Sequence, residues 1–137
     1  MKRFTTVLSV LSGLFLLYIG LLFLLDPQGS AAGFGLPSRP EHEGTGFLIV
    51  KGGRDIGICL GVFALLLTGH RKALGWVLLG LTFAPLTDML TVLGNHGSTA
   101  IAFGVHGAAA ATVALNAALL LRERPAAPAV RTGAVHR

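Results

Sequence analysis

Lys51, Arg54 and Asp55 lie close together in the stretch Val50-Lys51-Gly52-Gly53-Arg54-Asp55-Ile56-Gly57. Spaced i, i+3 and i+4, they share one face of a helix. Two cations beside a carboxylate can hold an anionic or carbonyl group, and a carboxylate can orient or exchange a proton. Further along, Asp88 and His106 add a second carboxylate and an imidazole. The candidate ligand-binding set is therefore Lys51, Arg54, Asp55, Asp88 and His106. In a catalytic version His106 would move the proton, since histidine titrates near neutral pH, and Asp55 or Asp88 would tune it. Other chemistries lack their parts. His96 and His106 are ten positions apart without a third ligand, and Glu41-His42-Glu43 reads as a solvated loop, so no metal site is expected. Cys59 and the serines of the apolar runs have no base at a known spacing, and no cofactor motif is found. Cys59 reads as a small buried hydrophobe.

The elements that must position these groups are membrane helices. Apolar residues make up 53% of the 137-residue chain and charged residues 12%, against about 25% charged in soluble domains. The apolar residues fall into four runs, at about residues 5–25, 46–68, 73–93 and 99–121. Each approaches the ~20 residues that cross a ~30 Å hydrocarbon layer. An all-α, four-helix integral membrane bundle over residues 1–121 follows, with 122–137 expected to be a disordered tail. A cleaved leader ending at Ser30-Ala31-Ala32 is the weaker reading of the first run, because leader cores span only ~7–15 residues. The bilayer is the evident partner. Nucleic acid is not, because the basic residues flank the apolar runs instead of forming a basic face.

Asp26-Pro27 should end the first helix, since the residue before proline leaves helical dihedrals. Residues 26–45 then form a long loop that could cover a site or bind at one. Pro85 should kink the third helix one turn before Asp88. Gly53, Gly57 and Gly61 recur every fourth position and read as a close-packing ridge, within the bundle or between protomers.

With four spans, the N-terminus, the 69–72 turn and the tail share one side. Together they hold eight Lys or Arg, against Arg39 alone in the two opposite loops. The positive-inside rule then predicts a multi-pass protein of the cell membrane with both termini cytoplasmic. At ~1.5 Å per residue, Lys51, Arg54 and Asp55 come to lie roughly 7–14 Å below the outer surface, Asp88 ~7 Å and His106 ~10 Å. Asn116 falls in the opposite leaflet. Lys51, Arg54, Asp55 and Asp88 sum to zero charge, so Asp88 is expected to pair with Arg54 or Lys51 across the second and third helices.

The order of these features resembles a group of small four-span membrane proteins catalogued as a domain of unknown function, similar to the DoxX-like group. The resemblance covers about residues 5–121. It is carried by Asp26-Pro27, Gly33-Phe34-Gly35-Leu36-Pro37, Lys51-Gly52-Gly53-Arg54-Asp55-Ile56-Gly57, Pro85-Leu86-Thr87-Asp88, His96-Gly97 and His106-Gly107. It implies a four-helix membrane bundle. Some DoxX-like relatives are associated with quinone-linked sulfur oxidation, but the lone Cys59 does not supply the redox site that this would need. Two functions compete. In the first, a structural or accessory protein is locked together by its charged cluster. In the second, that cluster binds a small apolar ligand, lipid or quinone-like, or transfers a proton on it. A proton-coupled transporter is less favoured, because the halves show no repeat.

Overall fold

The structure, a computed structural model, describes residues 1–123 and is helical throughout apart from turns and loops. The expectation of a disordered tail therefore falls, from residue 124 on, outside the described residues. Uninterrupted apolar residues carry α1 (Lys2–Leu25) to Asp26, where Pro27 ends it. The chain turns at once into α2 (Pro27–Ala32), with Pro27 in its first turn and the Asp26 carboxylate capping Gly29 N–H at 2.9 Å. The 26–45 segment is thus partly built, not a free loop. A short 3-10 turn (His42–Gly44) leads into α3 (Thr45–Leu67).

The third apolar run forms two helices, α4 (Arg71–Leu81) and α5 (Phe83–Gly94), interrupted at Thr82. Pro85 explains the break, since it has no N–H to give the Leu81 carbonyl one turn back. The last run, Thr99–Leu121, is continuous but not uniformly α-helical. A short α6 (Thr99–Ile101) passes into a π-helical segment, Ala102–Gly107, and then α7 (Ala108–Leu121). Among the described residues three helices are long and apolar enough to cross a membrane: Lys2–Leu25, Arg71–Gly94 and Thr99–Leu121. The 23-residue α3 has comparable length but carries Lys51, Arg54 and Asp55.

α1 packs on α3, α3 on α4, α4 on α7 and α7 on α1. The two ends of this ring are built differently. At the end carrying Lys2 and Leu121, Val62, Leu74, Leu78, Ala117 and Leu120 form a solid apolar core. The Ser9 hydroxyl and Asn116 amide hydrogen-bond at 2.9 Å inside it, joining α1 to α7. The Arg71 guanidinium closes this end. It donates to the Glu123 carboxylate at 2.5 and 2.9 Å and to Thr6 Oγ1 at 2.9 Å. Thr5 Oγ1 donates to the same carboxylate at 2.6 Å. Hydrogen bonds from Arg71 above all hold the Glu123 carboxyl below its usual range. At the opposite end α5 turns onto the π segment and makes no close backbone approach to α3, and a cavity opens there.

The glycine ridge is not where α3 packs. A methyl group added at Gly53, Gly57 or Gly61 would meet nothing within 4 Å. The close approach to α1 is made instead by Gly52, where such a methyl would stand 2.7 Å from the Gly20 carbonyl oxygen. Gly13 of α1 lies under Phe63, and the Cys59 thiol reaches the Gly13 carbonyl at 3.2 Å. The reason is angular. Gly52, Asp55, Cys59 and Val62 form the buried stripe of α3, and the ridge glycines stand about 140–180° from its centre, on the opposite face.

Candidate functional site

The open end of the bundle contains a cavity of about 810 Å³. Its apolar walls come from α1, α4 and α7, including Leu11, Phe15, Leu78 and Val113. Lys51, Arg54, Asp55, Asp88 and His106 all line it, so the five residues predicted from sequence meet in one space. A smaller cavity of about 210 Å³ lies under the 34–40 loop and shares Lys51, Arg54 and Asp88 with the large one.

The pairing inside the cluster differs from the expectation. Lys51 Nζ contacts Asp55 Oδ2 at 2.6 Å, a bridge across one turn of α3. The ammonium also stands 4.7 Å from the Phe23 ring centroid, a cation–π contact with α1. Asp55 is only 6% exposed, and Lys51 is its charge partner. Asp88 forms no ion pair with Lys51 or Arg54; the ionisable side chain it approaches is His106, with Oδ2 3.9 Å from Nδ1. The break before Pro85 accounts for this, because it swings α5 toward the π segment and away from α3. Arg54 is exposed and has no hydrogen-bond or ion-pair partner among the described residues, while lining both cavities.

His106 is 8% exposed and sits in the π segment, where a widened turn shifts which side chains face inward. Its Nε2 stands 2.9 Å from the Phe34 carbonyl oxygen, and since a carbonyl only accepts, Nε2 carries the proton. Nδ1 is thereby the nitrogen turned to Asp88. The Phe34 ring lies against the imidazole at 4.7 Å between centroids. Gly35 holds this loop in place with φ of 99°, a conformation that favours glycine, and its carbonyl accepts Ser98 N–H at 2.8 Å. The Gly33–Pro37 loop is thus a lid stitched to the 94–98 turn. The sequence marked the loop as a cover, but the backbone carbonyl of Phe34 as partner to His106 has no side-chain signature.

Chemically, this is an amphipathic chamber. It offers a long apolar wall, one guanidinium free to bind, and an imidazole–carboxylate couple able to exchange a proton. Among the described residues no group of three or more His, Cys, Asp or Glu gathers as a metal site.

Residues 13–120 match the family described as a domain of unknown function, DUF4267, and the chain belongs to that family. The match runs from within α1 to the last turn of α7 and so includes Lys51, Arg54, Asp55, Asp88 and His106, while Leu8, Leu11 and Ser12 of the cavity wall precede it. It supports the uncharacterised family and not the DoxX-like group specifically. No curated protein and no solved structure matches the chain.

Proposed function

We propose that this DUF4267 member is a ligand-binding membrane protein whose chamber holds an amphipathic molecule, apolar body inward and polar head at Arg54. The observation that carries the reading is the state of Arg54. It is a permanent cation with no partner among the described residues, lining two adjoining cavities. A cluster that served only to lock the bundle would engage each of its charges, whereas Arg54 engages none among the described residues and the Lys51–Asp55 bridge lies within α3. That mechanical task is met at the other end by Arg71, Glu123 and Thr5. The cavity volume of about 810 Å³ suits the role, since pockets enclosing small ligands run roughly 300–1,000 Å³.

In this reading α3 crosses the membrane with the three apolar helices, its charges turned to the chamber. Eight Lys or Arg on the terminal side support a cell-membrane protein with cytoplasmic termini and the lid outside. Native mass spectrometry of protein purified in a mild detergent tests the proposal. A retained amphipathic species on the wild type, reduced when Ala109→Trp fills the cavity, is expected. An empty wild-type protein that also fails to take up added lipid extract would sink the idea.

A further inference from the structure

The charges lining the large cavity balance before anything binds. Lys51 and Arg54 supply two positive charges, Asp55 and Asp88 two negative ones. Lys51 and Asp55 neutralise each other at 2.6 Å, so a ligand acts on the balance between Arg54 and Asp88. These two are not in contact. Arg54 has no ion-pair partner among the described residues, and Asp88 faces Nδ1 of His106 at 3.9 Å.

A neutral layer among apolar walls resists a lone anion, because an unbalanced charge is costly where water is scarce. It accepts an anion that arrives with a proton. Nε2–H of His106 is committed to the Phe34 carbonyl, which leaves the lone pair of a neutral imidazole on Nδ1, directed at Asp88. A proton on Nδ1 turns the 3.9 Å approach into an ion pair, which leaves the Arg54 charge to be balanced by the incoming head. The charged groups around the imidazole are Asp88 on α5 and Lys51, Arg54 and Asp55 on α3. Tyr18 on α1 and Thr112 on α7 line the same cavity, and the lid contributes the Phe34 carbonyl. The smaller cavity beneath the lid adjoins this layer at Lys51, Arg54 and Asp88 and offers the proton an approach.

We infer that the ligand is a single-chain amphiphile with one negative charge at its head, taken up together with one proton that the His106–Asp88 couple holds. This rests on the ligand-binding reading above and narrows it to a charge class. The fork of a guanidinium matches a head with paired oxygens, and the apolar wall of the cavity takes the chain.

Three probes of equal chain length test it on the full protein in phosphatidylcholine nanodiscs: hexadecanesulfonate, hexadecanol and hexadecylamine. The sulfonate stays anionic throughout, so any pH dependence belongs to the protein. Sulfonate affinity should rise as pH falls, approaching about tenfold per unit where one proton is taken up with each ligand. Hexadecanol should bind without a slope, and hexadecylamine weakly. Asp88→Asn gives the layer a fixed positive charge, so it should bind sulfonate more tightly at high pH and show no slope. His106→Gln should lose the slope and keep the preference for sulfonate over amine. A flat wild-type curve, a slope surviving in both variants, or amine binding as tight as sulfonate overturns the inference. If hexadecanol still binds in those cases, the ligand-binding proposal stands; if no probe binds, both fall.

Discussion

The imidazole of His106 and the carboxylate of Asp88 approach to 3.9 Å from two helices that each depart from regular α-geometry beside them. α5 begins anew after the break at Thr82, and His106 sits inside the π segment Ala102–Gly107. Each irregularity gives up regular backbone hydrogen bonding close to one of the two side chains. π-bulges recur at functional sites for this reason: they re-aim one side chain without ending the helix.

Arg54 should be dispensable for folding and needed for binding. Arg54→Gln removes a cation with no partner, so surface substitution costs apply, within about 0.5 kcal/mol. Thermal unfolding in detergent should be unchanged, while the co-purifying species expected for the wild type in native mass spectrometry should be lost. A large drop in melting temperature would instead return Arg54 to a structural role.

Lys51 behaves in the opposite way. Lys51→Met leaves the Asp55 carboxylate buried without its cation, and breaking such a pair costs about 3–5 kcal/mol. Adding Asp55→Leu removes the orphaned charge and should recover most of that loss. Urea or thermal denaturation of the single and double variants reads the difference, and additive effects would deny the coupling.

The glycines of α3 divide by neighbour. Gly52→Ala places a methyl 2.7 Å from the Gly20 carbonyl oxygen and should destabilise by about 1–3 kcal/mol. Gly57→Ala and Gly61→Ala meet open space and should be neutral or stabilising, by up to about 1 kcal/mol. Fluorescence-detected thermal shifts separate the two classes, and equal losses at all three sites would put the ridge back in an interface.

At the terminal end the prediction concerns acid. Glu123 is ionised by its hydrogen bonds from Arg71, so its folded carboxyl titrates below the ordinary glutamate value. Its contribution is full above that ordinary value, about 4.3, and fades as pH falls through the lower folded value. Glu123→Gln should lower stability at neutral pH by about 1.5–3 kcal/mol, as expected for a bond to a charged group. The gap between wild type and variant should shrink below pH 4, followed by melting temperature.

Much of the site is legible in the sequence because membranes make charge conspicuous. Lys51, Arg54, Asp55, Asp88 and His106 stand out against apolar runs, and helical rise alone puts them at one depth. The partners are harder to read. Charge balance points Asp88 to Arg54 or Lys51, yet α5 packs on the π segment and brings it to His106. That placement depends on tertiary packing around Pro85, and the sequence marks only the kink. The Gly53, Gly57 and Gly61 repeat is visible as a pattern, but which side of α3 meets α1 depends on Gly20 and Gly13 in another helix. Glu123 passed as part of a charged tail, because its partner Arg71 lies 52 residues away.

That separation also orders the assembly of the chain. The Arg71 cluster joins Thr5, near the start, to Glu123, 118 residues later. A ribosome must therefore deliver the last helix before the first and middle segments can be tied to it. Until Glu123 emerges, Arg71 has its hydroxyl neighbours but no counter-charge. Closure of this end waits on Glu123, and a chain cut short before that carboxylate lacks the ion pair that seals it.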